Sequence, residues 1–344
     1  MLKGISIYLG MENTLEQNKA LMLKARAYGF TKAFLSLHIP EAKEQAIHQE
    51  LGEITVLANK LHMDLLADIT ATTKVEGGIS QIRLDDGFSP QMIADYLREH
   101  PDHKVVLNAS TVSADFMDKL VELKIPADCL EALHNFYPRP HTGMGEEFFV
   151  KQNTMLKAHG LKVGAFVPSQ SGKRGPVYEG LPSLEADRQS STDLGARHLA
   201  ALNLDAIFIG DNNPSEEEME ALGAVKPGQV DLTIETKETA PYLQDLVGQT
   251  LHVRPDEARD VIRALETRRL AKNWDIVPHN ATARQVGAVT MDNNLAGRYK
   301  GELEIIKNPL EAAKSVNVIG QIPQEELFLL SYLKAGVPFS FKVK

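Results

Sequence analysis

The stretch CLEALHNFYPRP, Cys129 to Pro140, is a short apolar run that breaks off into a histidine, an amide, two aromatics and two prolines. Pro138 and Pro140 forbid a continuing strand or helix, and His134, Asn135, Tyr137 and Arg139 set polar side chains where a buried strand has just ended. What such a loop does depends on where its strand lies. Seven further apolar runs of strand length precede residue 211: GISIYL, KAFLSL, MDLLADI, QIRLD, KVVLNAS, LKVGAFV and DAIFIG. Helical stretches fall between most of them, at Thr14 to Tyr28, Glu41 to Leu61, Pro90 to Glu99, Ser113 to Leu123 and Gly145 to His159. Eight strands at this cadence fit a (β/α)8 barrel. An open doubly wound sheet is the rival, but the first strand runs into YLGMENT without the G-x-G-x-x-G turn that such sheets use to bind dinucleotides.

From about Pro227 the texture changes to short β-rich pieces, QVDLTIET, TLHVRP, AVTMDNN, GELEIIK and VNVIGQI, with one expected helix in DEARDVIRAL. The sequence therefore divides into a barrel, 1–228, and a small β-rich domain, 229–344. With 37 Lys and Arg against 46 Asp and Glu, the net charge is −9, and no basic block is present to track a nucleic acid or an anionic membrane. The start, MLKGISIYLG, lacks the pattern of a signal peptide, and no run is long enough to cross a bilayer. Cys129 stands alone, which excludes an intramolecular disulfide and a thiolate zinc cluster, fits a cytoplasmic setting, and reads as inert core.

Side chains alternate across a strand, so one parity shares a face. Ser6 and Tyr8 oppose Ile5 and Ile7; Ser36 and His38 oppose Leu35 and Leu37; Asp68 and Thr70 oppose Ala67 and Ile69. Gln81, Arg83 and Asp85 oppose Ile82 and Leu84, while Asn108 and Ser110 oppose Leu107 and Ala109. The polar residues crowd toward the C-terminal ends. In a barrel that parity points inward and reaches the mouth where barrel enzymes build their sites, so HNFYPRP becomes the loop after the sixth strand, with His134, Asn135 and Tyr137 expected to line the mouth. Asp68 and Asp85 end adjacent strands, and paired carboxylates serve glycoside hydrolysis as proton donor and as nucleophile or base, their separation deciding the stereochemical course. The competing reading for Asp85 is an ion pair with Arg83, which would disqualify it as a proton donor. Asp211 is a further mouth candidate. His134 and His141 lack metal-ligand spacing, so no metal is expected. The segment PSQSGKRGP, Pro168 to Pro176, follows the seventh strand, where barrel loops often hold phosphate through backbone N–H groups and cations such as Lys173 and Arg174; the alternative is an exposed flexible loop.

The strings GISIYLG, RLDDGF, LHNFYPR, DAIFIGDN, GRYKGELEI and NVIGQIPQEELFLLSYLKAG together resemble a bacterial family once filed as outer surface proteins of unknown function and now associated with 6-phospho-N-acetylmuramidases. The resemblance runs end to end. It implies a (β/α)8 barrel followed by a small cyclophilin-like β domain. It also implies an intracellular glycosidase of peptidoglycan recycling that splits the β-1,4 bond between N-acetylmuramic acid 6-phosphate and N-acetylglucosamine. On that reading Asp68 and Asp85 are the catalytic pair. Tyr8, Ser36, Arg83, Asn108, Ser110, His134, Asn135, Tyr137 and Asp211 would position the sugar, while Lys173, Arg174, Arg298 and Lys300 would hold the 6-phosphate. Arg298 and Lys300 share a face if their segment is a strand. The N-acetyl group also permits substrate-assisted cleavage. The partner is a small phosphorylated disaccharide, not a nucleic acid or membrane, and the second domain either closes the site or makes a homodimer. Two other classes compete. A pyridoxal-phosphate lyase or isomerase would need a Schiff-base lysine, but the first strand ends in Tyr8-Leu9-Gly10, so no cofactor is expected. A noncatalytic surface sugar-binding protein would need an export signal or lipid-anchoring cysteine.

Overall fold

The computed structural model describes residues 1–36, 44–69, 79, 81–84, 87–237, 239 and 241–344, with 44–49 as backbone only. The chain folds into two compact units, Met1–Leu199 with Leu204–Val225, and Ala200–Asn203 with Lys226–Lys344.

The first unit is a closed barrel of eight parallel strands: β1 (Leu2–Ile7), β2 (Lys32–Ser36), β3 (Asp64–Ile69), β4 (Gln81–Leu84), β5 (Lys104–Asn108), β6 (Leu130–Leu133), β7 (Lys162–Val167) and β8 (Ala206–Ile209). The ring closes where Leu2 of β1 pairs with Ala206 of β8. Among the described residues seven α-helices interleave: α1 (Leu15–Ala27), α2 (Glu44–Leu61), α3 (Pro90–Glu99), α4 (Ala114–Glu122), α5 (Glu146–Ala158), α6 (Thr192–Ala201) and α7 (Glu216–Ala224). Several of their starts are written locally. Thr14 with Gln17 and Ser215 with Glu218 form capping boxes, and Ser89 and Ser113 cap α3 and α4 through their hydroxyls.

The inward parity follows from contacts across the lumen. Lys32 of β2 donates to Gln81 of β4 at 3.0 Å and to Glu131 of β6 at 2.8 Å, a floor built from alternate strands. Above it Phe34, Phe166 and Phe208 pack together, with ring centroids 5.2 and 5.5 Å apart. Gly4 is required there, because a Cβ at that position would overlap the Phe208 ring. Among the described residues of β1 to β5, the polar parity expected inside is inside.

The described residues of the second unit form two sheets. One has the order β10-β15-β9, from β9 (Val230–Ile234), β10 (Leu251–His252) and β15 (Pro338–Val343). The other has the order β11-β13-β12-β14, from β11 (Val261–Arg263), β12 (Ala288–Asp292), β13 (Leu303–Ile306) and β14 (Val316–Gln321). The helix expected in DEARDVIRAL is not formed: Val261 and Ile262 instead pair antiparallel with Ile306 and Ile305. β-branched side chains pack well on that pleated surface, so tertiary pairing overrides the helical pattern.

Candidate active site

Asp68 and Arg83 are register partners on β3 and β4, and both are buried in the upper lumen. Arg83 Nη1 donates to Asp68 Oδ1 at 2.6 Å, Nη2 donates to Asn135 Oδ1, and Nε reaches the Leu133 carbonyl at 3.4 Å. Arg83 and Asp68 thus form a buried ion pair. Asp85 lies outside the described residues, as do His38, Thr70 and Asp86. Two opposite charges buried side by side compensate each other's loss of hydration.

Around this pair, Ser36 is buried at the end of β2, and Asn108 accepts from the Ser110 backbone N–H at 3.1 Å. The Ser110 hydroxyl accepts from Asn135 N–H at 2.9 Å, and the Ser183 hydroxyl donates to the Asn135 carbonyl at 2.8 Å. Tyr137 is half-buried and anchored through its N–H to Pro182 O at 2.9 Å. Its own hydroxyl meets no hydrogen-bonding partner among the described residues.

His134 does not line the mouth. Leu133 belongs to the lumen cluster, so the next residue turns outward beneath α5. The ring is fully buried, stacks on Phe149 at 4.3 Å, and lies 2.8 Å from Asn153 Oδ1 and 3.2 Å from the Ser110 hydroxyl. Burial lowers its pKa to about 4. With one proton on Nε2 it donates to Asn153 and accepts from Ser110, a neutral structural link.

Asp211 also has a different job. Its two oxygens accept the backbone N–H groups of Ser169 (2.8 Å), Arg174 (2.9 Å) and Leu181 (3.2 Å), and it is fully buried. Burial pushes its pKa up against the pull of those three amides. Glu218 takes the Ser169 hydroxyl at 2.7 Å and Gln170 N–H at 2.6 Å. Two carboxylates therefore gather the loop after β7, which is a built structure rather than a loose one, and they occupy amides that a phosphate would otherwise use. Gly172 is required at its apex, where a Cβ would collide with the Asn213 carbonyl oxygen.

This loop carries Arg174 back over the lumen. Its guanidinium carbon lies 4.5 Å from the Tyr8 ring centroid and 5.3 Å from that of Phe136, and the residue is only 7% exposed. Cation–π contacts of this kind return about 2 kcal/mol when desolvated, while burying an uncompensated charge costs several. Tyr8 is itself buried, donates to Gly210 O at 2.5 Å, and has its phenol pKa pushed up by burial. Lys173, the next residue back along the loop, is half-buried.

Arg298 and Lys300 belong to the second unit, where Arg298 lies in a 3-10 turn, Asn294–Tyr299, and Lys300 caps its end, so the two do not share a strand. Lys300 Nζ caps the Trp274 carbonyl at 2.8 Å, and Arg298 lies over Tyr299 with its guanidinium carbon 5.1 Å from the ring centroid. Cys129 is half-exposed at the end of a 3-10 turn rather than in the core, and burial with the neighbouring Asp128 raises its thiol pKa, away from nucleophilic use.

Three mouth residues lie beyond the sequence reading. Phe136 sits edge-on to Tyr8, Phe34 and Phe166. Glu12 accepts from the Tyr178 hydroxyl at 2.7 Å and from Asn212 at 2.9 Å, tying the loops after β1, β7 and β8. Glu185 accepts His141 and Gly143 N–H at 2.8 and 2.7 Å and pairs with Arg188 at 2.7 Å, fastening the loop after β6 to that after β7. Only Phe136, inside the aromatic run of the loop, carries a local signal.

The family models for 6-phospho-N-acetylmuramidase match both parts, the N-terminal model over residues 3–224 and the C-terminal model over 230–342. The chain belongs to the 6-phospho-N-acetylmuramidase family. A solved structure of an uncharacterized B. cereus protein is similar to this muramidase-family chain at 29% identity and TM-score 0.88, with 99% of each chain covered. A conserved Enterococcus faecalis protein of unknown function is similar at 32% identity and TM-score 0.73, covering 100% of this chain and 97% of that one. Among curated proteins none matches. Among the described residues no group of three or more His, Cys, Asp or Glu is placed to hold a metal, and no helix is long and apolar enough to cross a membrane.

Proposed function

We propose that this chain is a cytoplasmic glycoside hydrolase that cleaves the β-1,4 bond of 6-phospho-N-acetylmuramyl-N-acetylglucosamine in peptidoglycan recycling. The observation that carries the reading is the Asp68–Arg83–Asn135 group at the C-terminal end of the barrel strands, in a chain of the muramidase family. Asp68, paired with Arg83, faces the positive charge that develops at the anomeric carbon, as nucleophile, as base for water, or by orienting the acetamido group. Asp85 protonates the leaving oxygen of N-acetylglucosamine. Ser36, Asn108, Asn135 and the Tyr137 hydroxyl supply hydrogen bonds to the sugar.

The test is to incubate the pure protein with the phosphorylated disaccharide and its unphosphorylated twin and to follow products by mass spectrometry. Cleavage of the phosphorylated form is expected, and Asp68→Asn and Asp85→Asn should each lower kcat/KM by about a thousandfold. Cleavage of neither substrate by folded protein would overturn the reading.

A further inference from the structure

Among the described residues of the barrel unit, five lysine and arginine side chains are buried, and four of them face a carboxylate. Lys32 pairs with Glu131 at 2.8 Å, Arg83 with Asp68 at 2.6 Å, Arg188 with Glu185 at 2.7 Å and Arg197 with Asp193 at 2.8 Å. Arg174 is the fifth, and no described carboxylate lies in ion-pair range of its guanidinium. Its backbone N–H is spent on Asp211 and its Nε on the Gly175 carbonyl at 3.1 Å, while Tyr8 and Phe136 hold the planar group. What remains is the Nη1 and Nη2 fork, which has no partner among the described residues and is not sealed from the surface. A fork with its faces clamped and its tips free matches a tetrahedral or planar oxyanion bidentately.

Resting on the hydrolase reading, we infer that Arg174 binds the substrate's phosphate monoester and sets the preference for the phosphorylated disaccharide. The substrate offers two anions, the phosphate and the lactyl carboxylate. Lys173, adjacent and without a described carboxylate partner, supplies a second positive charge, and two cations match a dianion better than a single carboxylate. The neighbouring amides cannot take over, because Asp211 and Glu218 occupy those of Ser169, Gln170 and Arg174.

Full-length wild type, Arg174→Met and Arg174→Lys are assayed on the phosphorylated disaccharide, its unphosphorylated twin and a phosphorylated disaccharide without the lactyl ether, and inorganic phosphate binding is measured by calorimetry. Arg174→Met should lower kcat/KM on the phosphorylated substrate by about 100-fold, and the preference over the unphosphorylated twin should collapse by a similar factor. Phosphate binding should vanish with it, and Arg174→Lys, which keeps the charge without the fork, should retain part of both. Equal losses on phosphorylated and unphosphorylated substrates would overturn the assignment, leaving Arg174 as a shaper of the loop. A loss that follows the lactyl group would also overturn it, because Arg174 would then read the carboxylate. If wild type cleaves nothing, the hydrolase reading falls, yet phosphate binding by wild type and not by Arg174→Met still supports the anion site. Failure of folded wild type to bind phosphate would sink the site itself.

Discussion

His134 is a buried imidazole whose neutrality has a thermodynamic consequence. Its folded pKa is near 4, against an ordinary value of 6.5. Between those values the unfolded chain binds a proton that the folded chain refuses, so the contribution of His134 to stability is full above pH 6.5 and falls as the pH drops toward 4. The total is about 3 kcal/mol. Urea denaturation across that window should show the loss in wild type, and His134→Gln should flatten the curve relative to wild type. Parallel curves would mean that the ring takes up its proton in the fold as readily as in the unfolded chain. Sequence alone puts this residue at the mouth for one local reason: the prolines that follow draw attention to the loop, but the face of position 134 is set by Leu133, which occupies the lumen. Asp68 and Arg83, inside strands with unbroken alternation, fall on the correct face from sequence alone.

The strands and the loops differ in how much the sequence declares. A strand's inner face follows from a period of two, and the polar parity in β1 to β5 needs no knowledge of the partner strand. The loop after β7 has no such period. Its shape depends on Asp211, whose amide partners lie 30 to 42 positions earlier in the chain, and such long-range closure leaves no local trace in composition. Asp211→Asn replaces one acceptor oxygen with a donor facing backbone N–H groups, and should destabilise the fold by about 2–4 kcal/mol. Because the same carboxylate anchors the backbone of Arg174, hydrogen exchange at Ser169, Arg174 and Leu181 should accelerate far more than exchange in β1 to β5. Uniform acceleration would show instead that Asp211 stabilises the barrel as a whole.

At the scale of the whole molecule, two units with separate cores make a prediction about cooperativity. Tyr8, Phe34, Phe166 and Phe208 fill the barrel, whereas Val289, Met291, Leu303 and Ile305 are buried within the second unit. The chain's single tryptophan, Trp274, belongs to the second unit and stacks on Tyr242 at 5.7 Å, while the long helices α1 to α7 alternate with the barrel strands. Tryptophan fluorescence and helical ellipticity therefore report largely on different units. Ile305→Ala removes a fully buried side chain from the central pairing of β13 with β11 and β12, which should cost about 2–5 kcal/mol. The Trp274 transition should move to lower denaturant while the ellipticity transition stays in place, since a domain with its own core can unfold on its own. Movement of both probes together would instead make the chain one cooperative unit, in which a cavity among the strands of the second unit is felt equally by the helices around the barrel.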